Sequence, residues 1–196
     1  MIISINPDNP QQRLIDRVAD TLERGGLIAY PTDTFYGIGC DLYNKKGIQR
    51  IYQLKKRPLK QPFSIICDSL KGISAYAKVS DFAYKTMKRL LPGPYTFILE
   101  GTKLVPKIML TKRKTVGIRV PDNNICLSIV QTLGRPIITT SAGYEDPHSI
   151  NDIYSKALDI IINGGILYPN PSSVISLIGD EPDVIREGKG DVSLFL

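Results

Sequence analysis

Apolar residues along this chain keep two rhythms, and the switches between them mark out its elements. From Gln11 to Arg24, the residues Leu14, Ile15, Val18, Ala19 and Leu22 fall at helical spacing, and Gly25-Gly26 follows where a helix C-cap belongs. Leu27 to Tyr30 is a buried run of strand length that ends at Pro31, which lacks the N–H needed to continue a ladder. The same grammar predicts helices over 45–56, 81–91, 124–133 and 149–157. Strands are predicted over 2–5, 63–67, 95–99, 115–120, 137–140, 158–162, 173–177 and 183–186. Several strands follow one another without a helix between them. The expected fold is therefore α/β, a twisted mixed parallel/antiparallel sheet flanked by helices. No linker, repeat or low-complexity tract interrupts the pattern, so one domain over 1–196 is expected.

Composition adds limits. Hydrophobic residues make up 42% and charged residues 22%, the balance of a soluble globular protein. No apolar run approaches bilayer length, and MIISINPDNPQQR lacks a basic segment followed by an apolar one, so the cytoplasm is the expected location. The three cysteines, Cys40, Cys67 and Cys126, fit neither a disulfide framework nor a zinc pattern and read as small buried hydrophobes. With a single histidine, His148, a multi-histidine metal site is excluded, and no metal ligands are assigned.

The net charge of +6 favours anionic partners such as nucleotide phosphates or RNA. Positive residues gather in Lys55-Lys56-Arg57 with Lys60, in Lys85/Lys88/Arg89, and in Lys112-Arg113-Lys114. Three loops set small polar groups after strands or a helix. Pro31-Thr32-Asp33-Thr34-Phe35-Tyr36-Gly37-Ile38-Gly39 offers hydroxyls and close backbone approach, although a self-capped turn would use the same residues. In Leu54 to Pro62, Arg57 offers a bidentate phosphate fork and Lys55 a point charge at a helix end, where the dipole alone would also favour cations. Ile137 to Gly143 ends a buried strand in Thr139, Thr140 and Ser141, several donors for an anion. A serine-hydrolase elbow is disfavoured, because its first glycine is missing and His148 stands in a separate Pro147-containing loop. Walker-type and GxGxxG loops are absent, as are paired acids at useful spacing.

Taken together, PTDTFYGIG, KKRPLKQPF, LPGPYTFIL, VGIRVP and TTSAG, in that order, resemble the YrdC/YciO family of threonylcarbamoyl-adenylate synthases. The likeness runs from Asn6 to Leu196, and PDNPQQRLI, YTFILEGTKLVP, KRKTVGIRVP and REGKGDVSLFL look most like its YciO branch. The resemblance implies a basic cavity for ATP, L-threonine and bicarbonate, with Mg2+ carried mostly by phosphates and water. The product, threonylcarbamoyl-AMP, would serve tRNA threonylcarbamoyladenosine modification, together with tRNA-modification partner proteins. By the same resemblance Lys55 and Arg57 are the catalytic, phosphate-holding pair. Thr115, Ser141, Ser149 and Arg186 join them around ATP, while Thr32, Arg119, Thr139 and Ser172 surround threonine, with Arg119 on its carboxylate. Two departures stand out: Ser141-Ala142-Gly143 replaces the family's Ser-Ala-Asn, and Pro171-Ser172-Ser173 its Glu-Ser-Thr. The alternative reading is a non-catalytic module of the same fold that binds double-stranded RNA or a nucleotide.

Overall fold

The predicted alternation folds onto a sheet of eleven strands. The computed structural model describes residues 1–58, 61–168, 170–179 and 181–195, so Lys60 of the basic loop and the terminal Leu196 lie outside the described residues. In chain order the first half runs β1 (Ile2–Ser4), α1 (Gln12–Glu23), β2 (Ile28–Tyr30), β3 (Gly37–Gly39), α2 (Lys45–Leu54), β4 (Ser64–Ile66), α3 (Leu70–Tyr76), β5 (Ala77–Lys78) and α4 (Asp81–Leu90). The second half runs β6 (Tyr95–Gly101), β7 (Thr115–Arg119), α5 (Asn124–Leu133), β8 (Ile137–Ser141), α6 (Pro147–Tyr154), β9 (Ile160–Asn163), β10 (Ser173–Ser176) and β11 (Asp183–Arg186).

Side-chain caps start most of these helices. Asn44, Ser69, Ser80, Asn123 and Asp146 each accept from an amide of the first turn, which satisfies donors the helix itself leaves open. Gly134 ends α5 in the left-handed conformation, at φ 70°.

The spatial order is β1-β9-β2-β3-β8-β4-β7-β6-β10-β11, with β5 beside β6. Pairs β1/β9, β2/β9, β4/β7 and β6/β10 are parallel, and β2/β3, β3/β8, β4/β8 and β6/β7 antiparallel. The mixed sheet is thus as expected from the pattern. Helices α1 and α5 cover one face of the β1–β9–β2 side through Ile15, Val18, Leu22, Ile125 and Ile129. The larger core, with Ile65, Phe97, Leu99, Val116, Ile118 and Ile138, fills the opposite side.

Four expectations need correction. The 31–39 segment is not all loop, because its end is strand β3; glycines hide it, as they carry little strand propensity. They are required there: a Cβ on Gly39 would stand 2.1 Å from the Ile138 carbonyl oxygen. Helix α6 begins at Pro147 rather than 149, capped by Asp146, and ends at Tyr154. Strand β9 starts at Ile160 rather than 158. Helix α3 and strand β5 went unpredicted because seven and two residues are too few for a periodic signal.

Candidate active site

The middle strands alternate, and the alternation builds a cavity. On β6 and β7, Phe97, Leu99, Val116 and Ile118 point into the core, while Thr96, Ile98, Thr115, Gly117 and Arg119 line the opposite face. Register aligns neighbours: Gly37 pairs with Ser141, Ser64 with Thr139, and Ile98 with Gly117. A Cβ on Gly117 would stand 2.6 Å from Ser64 Oγ, so the glycine keeps the floor open. The resulting cavity has a volume of about 420 Å³, within the range of small-molecule sites.

Of the residues singled out from sequence, Thr32, Arg57, Thr115, Arg119, Thr139, Ser141, Ser172 and Arg186 line this cavity. Lys55 and Ser149 do not. Ser149 borders a neighbouring recess of about 240 Å³ with Gly143, Tyr144, Glu145 and Asp146, and Phe35 belongs to both spaces. Lys55 Nζ lies 3.5 Å from the Ala142 carbonyl, 3.4 Å from the Tyr154 hydroxyl and 5.7 Å from that ring's centre. It is therefore held beside the Ser141–Gly143 turn instead of in the cavity wall. Gly143, at φ 85°, has nothing within 4 Å of where its Cβ would be, so the space beside this turn is open.

The wall is cationic. Arg57, Arg119 and Arg186 all contribute to it, and no carboxylate does among the described residues. Arg119 is nearly buried; its Nη2 donates to Asp33 Oδ1 at 2.7 Å and to Thr34 Oγ1 at 3.0 Å. Its Nε is buried and unpartnered, as is the Nε of Arg57, which sits 5.1 Å from the centre of the Phe63 ring. Arg186 grips the Ser172 carbonyl oxygen through Nε (3.1 Å) and Nη2 (2.7 Å). Burial and then the nearby Arg119 guanidinium lower the pKa of Arg186 from the ordinary arginine value. Such a wall suits an anion.

Hydroxyl pairs complete the lining. Thr96 Oγ1 and Ser172 Oγ are 2.8 Å apart, Thr111 Oγ1 and Thr115 Oγ1 2.6 Å, and Thr32 Oγ1 donates to the Phe35 carbonyl at 2.6 Å. Ser64, Thr96 and Thr111 were not singled out from sequence. The signal that would have found Thr96 is the period-two alternation of β6, a polar residue next to Phe97 on a strand whose other face is core. The cysteines are free and buried, and burial pushes the Cys67 thiol up to about 12. No helix among the described residues is long and apolar enough to cross a membrane.

The fold and this wall define an α/β protein with an arginine-lined cavity set into a mixed sheet. The chain belongs to the Sua5/YciO/YrdC family, whose model, described as telomere recombination, matches residues 20–188. It is similar to the uncharacterized protein YciO of Escherichia coli strain K12, 44% identical over 98% of this chain and 97% of that one. A crystal structure of E. coli YciO matches with a TM-score of 0.96 at 43% identity, over 100% of this chain and 99% of that one. A putative threonylcarbamoyl-AMP synthase of Methanocaldococcus jannaschii is 34% identical over 95% of this chain and 92% of its own length. The crystal structure of P. abyssi Sua5 complexed with L-threonine matches with a TM-score of 0.89 at 29% identity, over 96% of this chain and 57% of that one. The likeness to the YciO branch read from the sequence motifs is thereby shown, together with the fold.

Proposed function

We propose that this chain is a threonylcarbamoyl-AMP synthase that uses ATP, L-threonine and bicarbonate and releases pyrophosphate. The observation that carries the reading is the cavity wall: three guanidiniums, two with a buried unpartnered Nε, beside hydroxyl pairs and, among the described residues, no lining carboxylate. Relatives named threonylcarbamoyl-AMP synthase, and a Sua5 structure holding L-threonine, support the choice among anionic substrates.

The threonine amine and bicarbonate condense to a carbamate with loss of water, and a carbamate oxygen then attacks the α-phosphorus as the bond to pyrophosphate breaks. This transfer needs in-line positioning and cations where charge develops, not a nucleophilic side chain. Arg57 and Arg186 would hold phosphate oxygens, Arg119 the threonine carboxylate, and Thr32, Thr139 and Ser172 the polar atoms of the amino acid. Thr115 and Ser141 offer hydroxyls to the nucleotide, whose far end would reach toward Ser149. Lys55, beside the Ser141–Gly143 turn, would add a cation at the junction of the two spaces. Mg2+ would enter with the triphosphate; among the described residues the wall supplies hydroxyl oxygens and no carboxylates, so phosphates and water would complete its shell.

ATP-dependent pyrophosphate release in bicarbonate, with and without L-threonine, tests the reading. Threonine-stimulated release should fall at least about 100-fold in Lys55→Ala/Arg57→Ala, in keeping with the loss of charge-assisted contacts. Absence of threonine stimulation in the wild type would sink it. One observation favours a second reading, RNA binding without turnover: the exposed Lys112-Arg113-Lys114 turn links Thr111 and Thr115 directly at the cavity. Binding of double-stranded RNA that weakens steeply with salt, in a chain releasing no pyrophosphate, would select it.

A further inference from the structure

Asp33 lies in the first glycine- and hydroxyl-bearing loop, yet no role above uses its carboxylate. Its side chain is 7% exposed, and that of Arg119 9%. Oδ1 accepts from Arg119 Nη2 at 2.7 Å, and Oδ2 accepts from the Asp122 amide at 3.1 Å. The Asp33 carbonyl oxygen also takes Lys189 Nζ at 2.6 Å, which pins the loop from the C-terminal side. Both carboxylate oxygens are thus occupied by the protein, which leaves Asp33 poorly placed to touch substrate. What it does touch is one corner of the Arg119 fork, while Arg119 Nε stays buried and unpartnered.

We propose that Asp33 is a positioning and specificity-determining residue: it locks Arg119 through Nη2 with the Nε donor left unpartnered, and cancels one of the three guanidinium charges. The two effects act differently on different anions. Locking the fork favours a planar carboxylate, which needs directed donors. Cancelling a charge disfavours polyanions, which answer to the summed field more than to direction. The cavity would therefore keep a place for a monocarboxylate that phosphate groups do not invade. The carboxylate half of this inference rests on the proposed function, and the charge half does not.

Calorimetric titration of the full chain with inorganic pyrophosphate and, separately, with L-threonine tests it on wild type, Asp33→Asn, Asp33→Glu and Thr34→Val. Asp33→Asn should tighten pyrophosphate about threefold or more, because one opposing charge is gone, and weaken threonine about tenfold or more, because the fork is freed. Asp33→Glu should recover much of both. Thr34→Val removes only an uncharged anchor of Arg119, so threonine should weaken about threefold while pyrophosphate stays within about twofold. A merely structural Asp33 would move both ligands the same way. Parallel weakening in Asp33→Asn, or unchanged pyrophosphate affinity, overturns the proposal. If Asp33→Asn fails to fold, Thr34→Val decides it: threonine weakened about threefold with pyrophosphate within about twofold supports the proposal, and parallel weakening of both overturns it. Should the wild type bind pyrophosphate but no threonine, the synthase reading falls and the pyrophosphate arm alone judges Asp33. A wild type that binds neither overturns both.

Discussion

The two sides of the sheet obey different rules although they share one set of hydrogen bonds. On the β1–β9–β2 side, Ile28, Ile160 and Ile162 pack under α1 and α5, while Ala29 and Ile161 pack on the opposite core. Both faces are covered, and the strands read as unbroken apolar runs. On the β6–β7 side Tyr95, Phe97, Leu99, Val116 and Ile118 are core; Thr96, Thr115, Gly117 and Arg119 beside them face the cavity. A strand's second face decides what the strand is for. Where protein covers it, the strand contributes stability; where a ligand is to cover it, threonine, glycine and arginine take the alternate positions.

Substitutions on the two sides should therefore separate stability from binding. Ile161→Ala, on the doubly covered side, should lower the unfolding free energy by about 2–5 kcal/mol through the cavity it leaves. Urea denaturation would measure this, and pyrophosphate affinity should stay within about twofold. Arg186→Ala, on the cavity side, should weaken ATP about tenfold or more, equivalent to about 1.4 kcal/mol. Its stability cost should be only about 1 kcal/mol, from the lost bonds to the Ser172 carbonyl. Equal stability losses at both sites would break the comparison.

The smallest effect is silent at neutral pH. Cys67 in the folded chain is raised by burial to about 12, whereas its reference value is 9.0, so the native state keeps a proton that the unfolded state releases. Its contribution is fully present below pH 9 and is lost as pH rises toward 12, so the melting temperature should fall across that window. Cys67→Ala should flatten part of the fall, and thiol reagents should label native Cys40, Cys67 and Cys126 slowly at pH 8.

The sequence disclosed these two sides unequally. Unbroken runs such as Ile160 to Ile162, and helices with several apolar turns such as α1, were legible because burial on long contiguous stretches leaves a periodic mark. Strand β3 was not, since the glycines demanded by the Ile138 carbonyl and the Tyr30 ring erase strand propensity. Within the site, Thr32, Arg57 and Ser141 stood out as polar punctuation at or after the ends of regular elements. Ser64 and Thr111 did not, because a lone hydroxyl at the start of a strand or in the stretch before one has no local signature, and Thr96 is marked only by the alternation of β6. Lys55 and Ser149 were read into the same site as Arg57; the fold sets Ser149 at the neighbouring recess and Lys55 against the Ala142 carbonyl and the Tyr154 hydroxyl. The partnership of Asp33 with Arg119 joins positions too far apart in the chain for spacing to reveal.

Strand β10 slots in parallel beside β6, and β11 closes that edge, so Ser172 and Arg186 reach the cavity from the last stretch of the chain. Thr32 and Arg57, by contrast, are made early. During synthesis, the emerging polypeptide would carry half of the cavity wall for most of its time on the ribosome. Such distant pairings are slow to find, and domains settle as units once their last segments arrive. Completion of the cavity wall is thus a late event in the life of each molecule, and a message truncated before β11 would yield a largely built sheet that lacks Arg186.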